Sequence, residues 1–196
     1  NNSGHLVSWI VGASISDVNS GASAGIAVTG LSSGNGTWQY SVNGGSTWTA
    51  VGAVSDNSAL LLRDVDKLRF VPNAQNATSA SVNYRAWDQT SGAQGTKVST
   101  TTNGGTTAFS TASETASLTV TAVNDAPLLD NSGSPTLITI TEDQTDNAGS
   151  LVSSIVGVSI SDVDNGAVEG IAITGLSSGD GTWQYSLNGG LTWTAV

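Results

Sequence analysis

The pattern of apolar and polar positions along the chain is typical of β-strands that bury one face. Residues 80–87 and 116–122 alternate between apolar and polar side chains, and residues 136–141 place Ile138 and Ile140 two positions apart. Alternation with a period of two places every second side chain on the same face of a strand. We therefore predict three strands, whose buried positions are Val82, Tyr84 and Ala86, then Leu118 and Val120, and then Ile138 and Ile140.

Turn residues separate these segments, and no long segment carries the 3.6-residue apolar period of an amphipathic helix. β-branched residues are frequent, and Gly, Asn and Ser cluster between the alternating stretches. Short strands with such turns favour a sandwich of sheets, because the sequence offers no helices to cover a parallel sheet. The sequence therefore predicts an all-β fold.

An internal repeat organises the chain. Residues 1–51 return as residues 146–196 without gaps, and about three quarters of the positions are identical. Such self-similarity indicates one structural unit used twice. Pro127 breaks the strand pattern between the copies, because proline cannot donate to a β-ladder. We predict a first repeat over 1–123 that lacks its first strand, a joint over 124–127, and the N-terminal half of a second repeat over 128–196.

The two copies of the repeated segment would compete for the same partner strands in residues 52–122. Residues 1–51 should win, because they run directly into residue 52 and need little loop closure. The first repeat should present an open sheet edge, since it lacks a counterpart of residues 136–141. We expect self-association through open strand edges, and the second copy should expose apolar side chains around Ile171, Trp183 and Trp193.

The charge balance limits the partners of the chain. Five Lys and Arg residues face fifteen Asp and Glu residues, which gives a formal net charge of -10. Every basic residue lies between Arg63 and Lys97. This balance repels nucleic acid and anionic membranes and favours cations. The absence of cysteine excludes disulfides and thiolate chemistry, and without a run of about 18 apolar residues we expect no membrane insertion.

Asn43-Gly44 and its repeat Asn188-Gly189 are signals for a tight hairpin turn. The segment around each resembles the Asp-box of sialidases and other propeller proteins, with Asn where that motif usually has Asp. The resemblance implies a structural hairpin on the periphery of a domain. It leaves a peripheral domain of a secreted glycosidase as one alternative function.

Six tryptophans suggest a second alternative, a carbohydrate-binding module that stacks exposed aromatic rings on sugars. We expect Trp38 and Trp48 to belong to the core, because they flank one hairpin and alternate with polar residues. The carbohydrate hypothesis would be favoured if Trp9, Trp48 or Trp87 were exposed around a groove.

Acidic and amide side chains form clusters that could supply oxygen ligands to a metal ion. Calcium takes roughly six to eight oxygen ligands, so several loops would have to converge on one ion. The alternative is that these side chains only shape turns through bonds to the backbone. The candidate ligands are Asp17, Asn19 and Asp88 in the first copy, Asp162 and Asp164 in the second, and Asn124 and Asp125 at the joint.

Three motifs resemble the calcium signatures of cadherin repeats: Asp162-Val163-Asp164-Asn165-Gly166, Ala86-Trp87-Asp88 and Asn124-Asp125-Ala126-Pro127. The whole period is similar to the cadherin-like repeats of giant bacterial surface proteins, the RTX-type adhesins. This resemblance implies Greek-key β-sandwiches in tandem, with one or two calcium ions stiffening each joint and neighbouring repeats of the same chain as partners. It also implies an extracellular extender of a bacterial cell-surface adhesin, with a role in cell adhesion and biofilm.

Catalysis has little support in the sequence. His5 is the only histidine, and Ser150 replaces it in the second copy. No general base is therefore built into the repeat, and we expect no enzymatic activity.

Overall fold

The structure is a computed structural model that describes residues 2–19 and 21–196. Apart from two five-residue helices, the regular structure of the described chain is antiparallel β-sheet, which confirms the predicted all-β class. Neither helix of the described residues is long and apolar enough to cross a membrane. The chain divides into two compact units, Asn1–Val123 and Asn124–Val196.

Unit 1 contains two antiparallel sheets among its described residues. Their strand orders are β1-β6-β3-β4 and β8-β5-β2-β7-β9. The elements, in chain order, are β1 (His5–Leu6), α1 (Val7–Val11), β2 (Gly25–Ser32), β3 (Gly36–Ser41), β4 (Thr49–Ala50), β5 (Ala59–Arg63), β6 (Lys67–Pro72), β7 (Thr78–Trp87), β8 (Lys97–Val98) and β9 (Phe109–Val120).

The two sheets of unit 1 pack around a shared apolar core, which makes the unit a β-sandwich. Ile26, Leu62 and Val82 come from the five-stranded sheet and belong to the same buried cluster as Trp38 and Phe70 of the four-stranded sheet. The rings of Trp38 and Phe70 meet edge to face, with centroids 5.2 Å apart. Burial of these large side chains from both sheets supplies the main driving force for the sandwich.

Strand β5 is buried on both faces. Leu60 and Leu62 belong to the central core, whereas Leu61 belongs to a second buried cluster with Trp87 and Phe109 on the other face. A strand with two buried faces requires an uninterrupted apolar run rather than an alternation. The sequence of β5, Ala-Leu-Leu-Leu, meets this requirement.

Two of the predicted strands are confirmed. Strand β7 contains residues 80–87, and β9 contains residues 116–120 of the predicted 116–122 and ends at Val120. The side chains of Leu118 and Val120 are partly buried and pack against the central core. Strand β9 starts earlier than predicted, at Phe109, because it pairs with almost the full length of β7.

The alternation of β7 continues to its end. Val82 and Tyr84 are 1% and 3% exposed, as predicted. Residues 84–87 pair with β2 in an unbroken register, and Ala86 lies opposite Ile26. Ala86 therefore faces the central core, although it is only half-buried, and Trp87 faces the second buried cluster on the other side of the sheet.

The strand predicted over residues 136–141 is wrong. The segment has no regular structure, and Ile138 and Ile140 are 59% and 50% exposed. No strand of the described chain pairs with it, and a strand without a partner forms no ladder hydrogen bonds. The open sheet edge of the first repeat was predicted because that repeat lacks a counterpart of residues 136–141. Since these residues form no strand, they give no support to that prediction.

Unit 2 contains two small sheets among its residues, each of two strands. Strand β10 pairs with β11, and β12 pairs with β13. The elements are β10 (Leu128–Leu129), α2 (Val152–Val156), β11 (Ile160–Ser161), β12 (Gln184–Tyr185) and β13 (Thr194–Ala195).

The repeated segment adopts two different structures. Helix α1 and its repeat α2 are both followed by a glycine with φ of 54°, at Gly12 and Gly157. In unit 1, β2 lies between β5 and β7, as expected if residues 1–51 take the partner strands. In unit 2, the matching residues 170–177 form no strand. The helix therefore depends on local sequence, whereas the strand depends on its neighbours.

Candidate functional site

The acidic turn of unit 2 begins where β11 ends. Asp162 Oδ1 accepts a hydrogen bond of 2.8 Å from the backbone N–H of Asp164. A side chain that bonds the backbone two residues later closes an Asx turn. An ionised carboxylate has about four lone-pair sites, so this single bond leaves Asp162 with further capacity to accept.

The predicted joint residues contact this turn within unit 2. The backbone N–H of Asp125 donates a hydrogen bond of 2.9 Å to Asp164 Oδ2. Farther along, β10 pairs with β11, and the N–H of Asp130 donates to the Ser159 carbonyl at 2.7 Å. The structure therefore brings together four of the seven predicted ligands, which are Asn124, Asp125, Asp162 and Asp164.

The joint and the turn line a cleft of about 470 Å³. Four acidic side chains contribute to its wall: Asp125, Asp162, Asp164 and Glu169. No Lys, Arg or His follows Lys97 in the sequence, so no basic side chain of unit 2 offsets their charge. A concave surface with charge of one sign concentrates counter-ions, and this cleft therefore favours cations.

The chemistry of the cleft fits calcium better than its geometry does. Carboxylate and amide oxygens are the ligands that calcium prefers, and the lining supplies both. However, the described residues contain no group of three or more His, Cys, Asp or Glu side chains placed to hold a metal ion. Calcium binding would require the carboxylates of the cleft to move closer together.

Glu169 was not among the residues predicted from the sequence to bind a metal ion. The signal was present in the repeat, because Ala24 stands at the equivalent position of the first copy. Asn19 likewise stands where the second copy has Asp164. The second copy thus gains two carboxylates around the turn that lines the cleft.

The first copy contains an equivalent Asx turn but lacks two of the carboxylates found around the turn of the second copy. Asp17 Oδ1 accepts a hydrogen bond of 2.7 Å from the backbone N–H of Asn19. Both side chains are exposed, and position 20 lies outside the described residues. The geometry of Asp17 matches the alternative in which the acidic residue shapes a turn.

Asp88 lies in a different loop, directly after β7. Its Oδ1 accepts hydrogen bonds from the backbone N–H and the hydroxyl of Thr90, at 2.8 and 2.6 Å. Neither Asp88 nor Asp17 belongs to a group of three or more His, Cys, Asp or Glu side chains placed to hold a metal ion among the described residues. Of these three predicted ligands, Asp17 and Asn19 share one turn, and Asp88 closes a turn of its own.

Asp66 has a structural role. It is 1% exposed and forms an ion pair of 2.7 Å with Arg63. Hydrogen bonding to Asp66 and the nearby negative charge raise the pKa of Arg63 above its ordinary value. The carboxylate also accepts the backbone N–H of Arg63 at 2.8 Å, so it closes the turn between β5 and β6.

Three of the tryptophans differ in their burial and in their contacts. Trp87 is 2% exposed, and its Nε1 donates to the Ser91 carbonyl. Trp48 is half-buried beneath the guanidinium of Arg69, which lies 4.0 Å from the ring centroid. Trp9 is 70% exposed and stacks on the imidazole of His5, with ring centroids 4.2 Å apart.

The Asp-box-like hairpin uses its asparagine internally. Asn43 Oδ1 accepts hydrogen bonds from the Ser41 hydroxyl and the Thr47 backbone N–H, at 2.8 and 3.0 Å. The amide of Asn43 donates to the Thr47 hydroxyl at 2.8 Å. Unit 2 repeats this arrangement around Asn188. The asparagine therefore fixes the turn, as the resemblance implies.

Comparisons with protein-family models, with curated proteins and with solved structures found no match to this chain.

Proposed function

We propose that this chain is an extracellular extender repeat of a bacterial surface adhesin, and that calcium bound in the cleft of unit 2 stiffens its joint. The observation that carries the proposal is the contact between Asp125 and Asp164. It links a residue of the joint to the acidic turn of the repeat and lies in a cleft walled by carboxylates.

A calcium ion in the cleft would bind carboxylates from both the joint and the acidic turn. Like charges a few ångströms apart repel each other, and a divalent cation between them reverses the sign of that interaction. Binding would therefore draw the side chains of Asp125, Asp162 and Asp164 together. Residue 124 directly follows unit 1 in the sequence, so anchoring residues 124–127 would restrain the chain at the point where unit 2 begins.

A calcium titration by calorimetry tests the proposal on the full chain. Wild-type protein treated with chelator should bind one or two calcium ions. Asp164→Asn should weaken this binding by at least about tenfold, because it removes a carboxylate from the cleft while preserving the size of the side chain.

Asp180→Asn provides a matched control. It makes the same chemical change, and it likewise replaces an acid of the second copy with the asparagine of the first. Asp180 does not line the cleft, so its substitution should leave the affinity unchanged. Wild-type protein that binds no calcium, or equal losses from both variants, would refute a specific calcium site.

A further inference from the structure

Residues 170–177 repeat the sequence of β2 with one change, Ile173 in place of Val28. In unit 1, Ile26 and Val28 are 0% exposed, because β2 lies between β5 and β7. In unit 2, Ile171 and Ile173 are 45% and 53% exposed. The same apolar face is therefore covered in one copy and open in the other.

The rest of the repeated segment shows the same relationship. Six side chains of residues 1–51 belong to the central core: Val7, Val11, Ile26, Val28, Trp38 and Val51. Their counterparts are identical or differ by one methylene: Val152, Val156, Ile171, Ile173, Trp183 and Val196. Residues 146–196 thus retain an equivalent of each of the six buried side chains that residues 1–51 contribute to the central core of unit 1.

The glycines of the second copy also fit the partner strands of unit 1. A Cβ at Gly25 would lie 2.8 Å from the Leu62 carbonyl oxygen of β5, so only glycine fits there. The counterpart, Gly170, has no described atom within 4 Å of its Cβ position. A Cβ at Gly34 would collide with the Thr78 side chain. The second copy keeps this glycine as Gly179, which, like Gly170, has no described atom within 4 Å of its Cβ position.

We propose that residues 146–196 of one chain can replace residues 1–51 in the sandwich of a second copy of this chain. Residues 170–177 then take the position of β2 between β5 and β7 of that copy. We choose a second copy of this chain as the partner because its strands β5 and β7 already pack against the sequence of β2, which residues 170–177 repeat. Since residues 1–51 of that copy hold the position, docking is an exchange of one segment for the other.

One polar contact favours the original segment. The amide of Asn35 donates a hydrogen bond of 3.2 Å to the Ala77 carbonyl. Asp180, the counterpart of Asn35, has no N–H in its side chain and cannot donate this bond. Exchange in the wild-type chain is therefore a minor process, which weakening residues 1–51 should reveal.

Substitutions at the two equivalent isoleucines test the exchange in the full chain. Ile26→Asp places a carboxylate at a fully buried position of β2. This variant should keep a cooperative melting transition and should form a dimer of twice the chain mass by light scattering. Ile171→Asp should melt like wild-type protein and remain monomeric, and the double variant should lose the transition.

Two outcomes overturn the proposal. One is an Ile26→Asp chain that unfolds as completely as the double variant, which would mean that residues 146–196 cannot replace β2. The other is an Ile26→Asp chain that folds as a monomer, which would mean that the replacement occurs within one chain.

Val28→Ile provides a second, independent test of the fit. It places in β2 the one core residue that differs between the copies. Wild-type-like melting within a few degrees is expected if the sandwich accepts Ile173 at this position. Loss of the folded state would show that the second copy cannot enter the core, and would overturn the proposal without reference to the aspartate variants.

Discussion

Asp66 holds Arg63 through three hydrogen bonds, to the backbone N–H, Nε and Nη2 of the arginine, at 2.8, 3.2 and 2.7 Å. The carboxylate is 1% exposed, whereas the arginine side chain is 31% exposed. The ion pair therefore has a buried acidic end and a partly solvated basic end. It closes the turn that joins the two sheets between β5 and β6.

Asp66→Ala should lower the free energy of unfolding of unit 1 by about 3 kcal/mol, because it leaves the Arg63 backbone N–H and guanidinium without their acceptor. Urea denaturation followed by tryptophan fluorescence measures this loss. Asp64→Ala is the control in the same turn, since Asp64 Oδ1 accepts only the adjacent Val65 N–H among its described bonds. Its cost should stay below about 1 kcal/mol.

Asp162→Ala should weaken calcium binding by at least about tenfold, because it removes a carboxylate of the cleft and the acceptor of the Asx turn. Asp180→Ala should not change the affinity. Calorimetric titration of both variants after chelator treatment gives the comparison. Equal losses would indicate that the acidic surface as a whole attracts the ion.

The sandwich should lose stability at alkaline pH because of Tyr84. Burial and the hydrogen bond of 2.8 Å to Glu114 raise the pKa of this phenol above its ordinary value. The folded state therefore favours the neutral phenol. Its stabilising contribution is complete below the unfolded tyrosine pKa of about 10, and it is lost as pH rises through the higher folded pKa.

Tyr84→Phe should accordingly flatten the decline in unfolding free energy above pH 10, measured by urea denaturation at several pH values. Glu114→Gln keeps an acceptor oxygen but removes the negative charge, so it should reduce the decline in part. An alkaline decline that is identical in wild-type protein and Tyr84→Phe would assign it to other groups.

Ser41 and Ser186 offer a paired test of local and tertiary contributions. The hydroxyl of each accepts the backbone N–H of the turn glycine, at 2.9 Å for Gly45 and 2.8 Å for Gly190. Ser41 is 2% exposed, whereas Ser186 is only partly buried. Ser41→Ala should cost about 1–3 kcal/mol because it removes, at a buried position, the acceptor of the Gly45 N–H and the donor to Asn43 Oδ1, and Ser186→Ala should cost less. Urea denaturation and amide exchange at Gly45 and Gly190 compare the two.

The sequence predicted the strands whose alternation coincides with available partners. Residues 80–87 and 116–122 pair with each other in β7 and β9. Ile138 and Ile140 have the same spacing of two positions, but residues 136–141 have no neighbouring strand among the described residues. Periodicity reports which side chains could share a face, whereas pairing depends on residues that are distant in sequence.

The candidate site was predictable in composition but not in arrangement. The acidic and amide side chains at the joint and in the acidic turn could be named from the sequence as candidate ligands, and Asp125 and Asp164 do lie in contact. The sequence could not indicate that Asp66 is buried against Arg63, because that depends on the packing of β5 and β6. Comparing Ala24 with Glu169 would have added the missing carboxylate of the cleft.

The hairpin turn at Asn43 also bears on the order of events during folding. The side-chain hydrogen bonds of Ser41 and Asn43 join residues no more than four positions apart. Contacts this local close within microseconds, whereas β2 must wait for strands that follow it in the chain. Refolding of Ser41→Ala should therefore show a φ-value well above that of Ile26→Val. Such a result would make the turn a nucleus around which the later strands assemble, and the chain carries this turn twice.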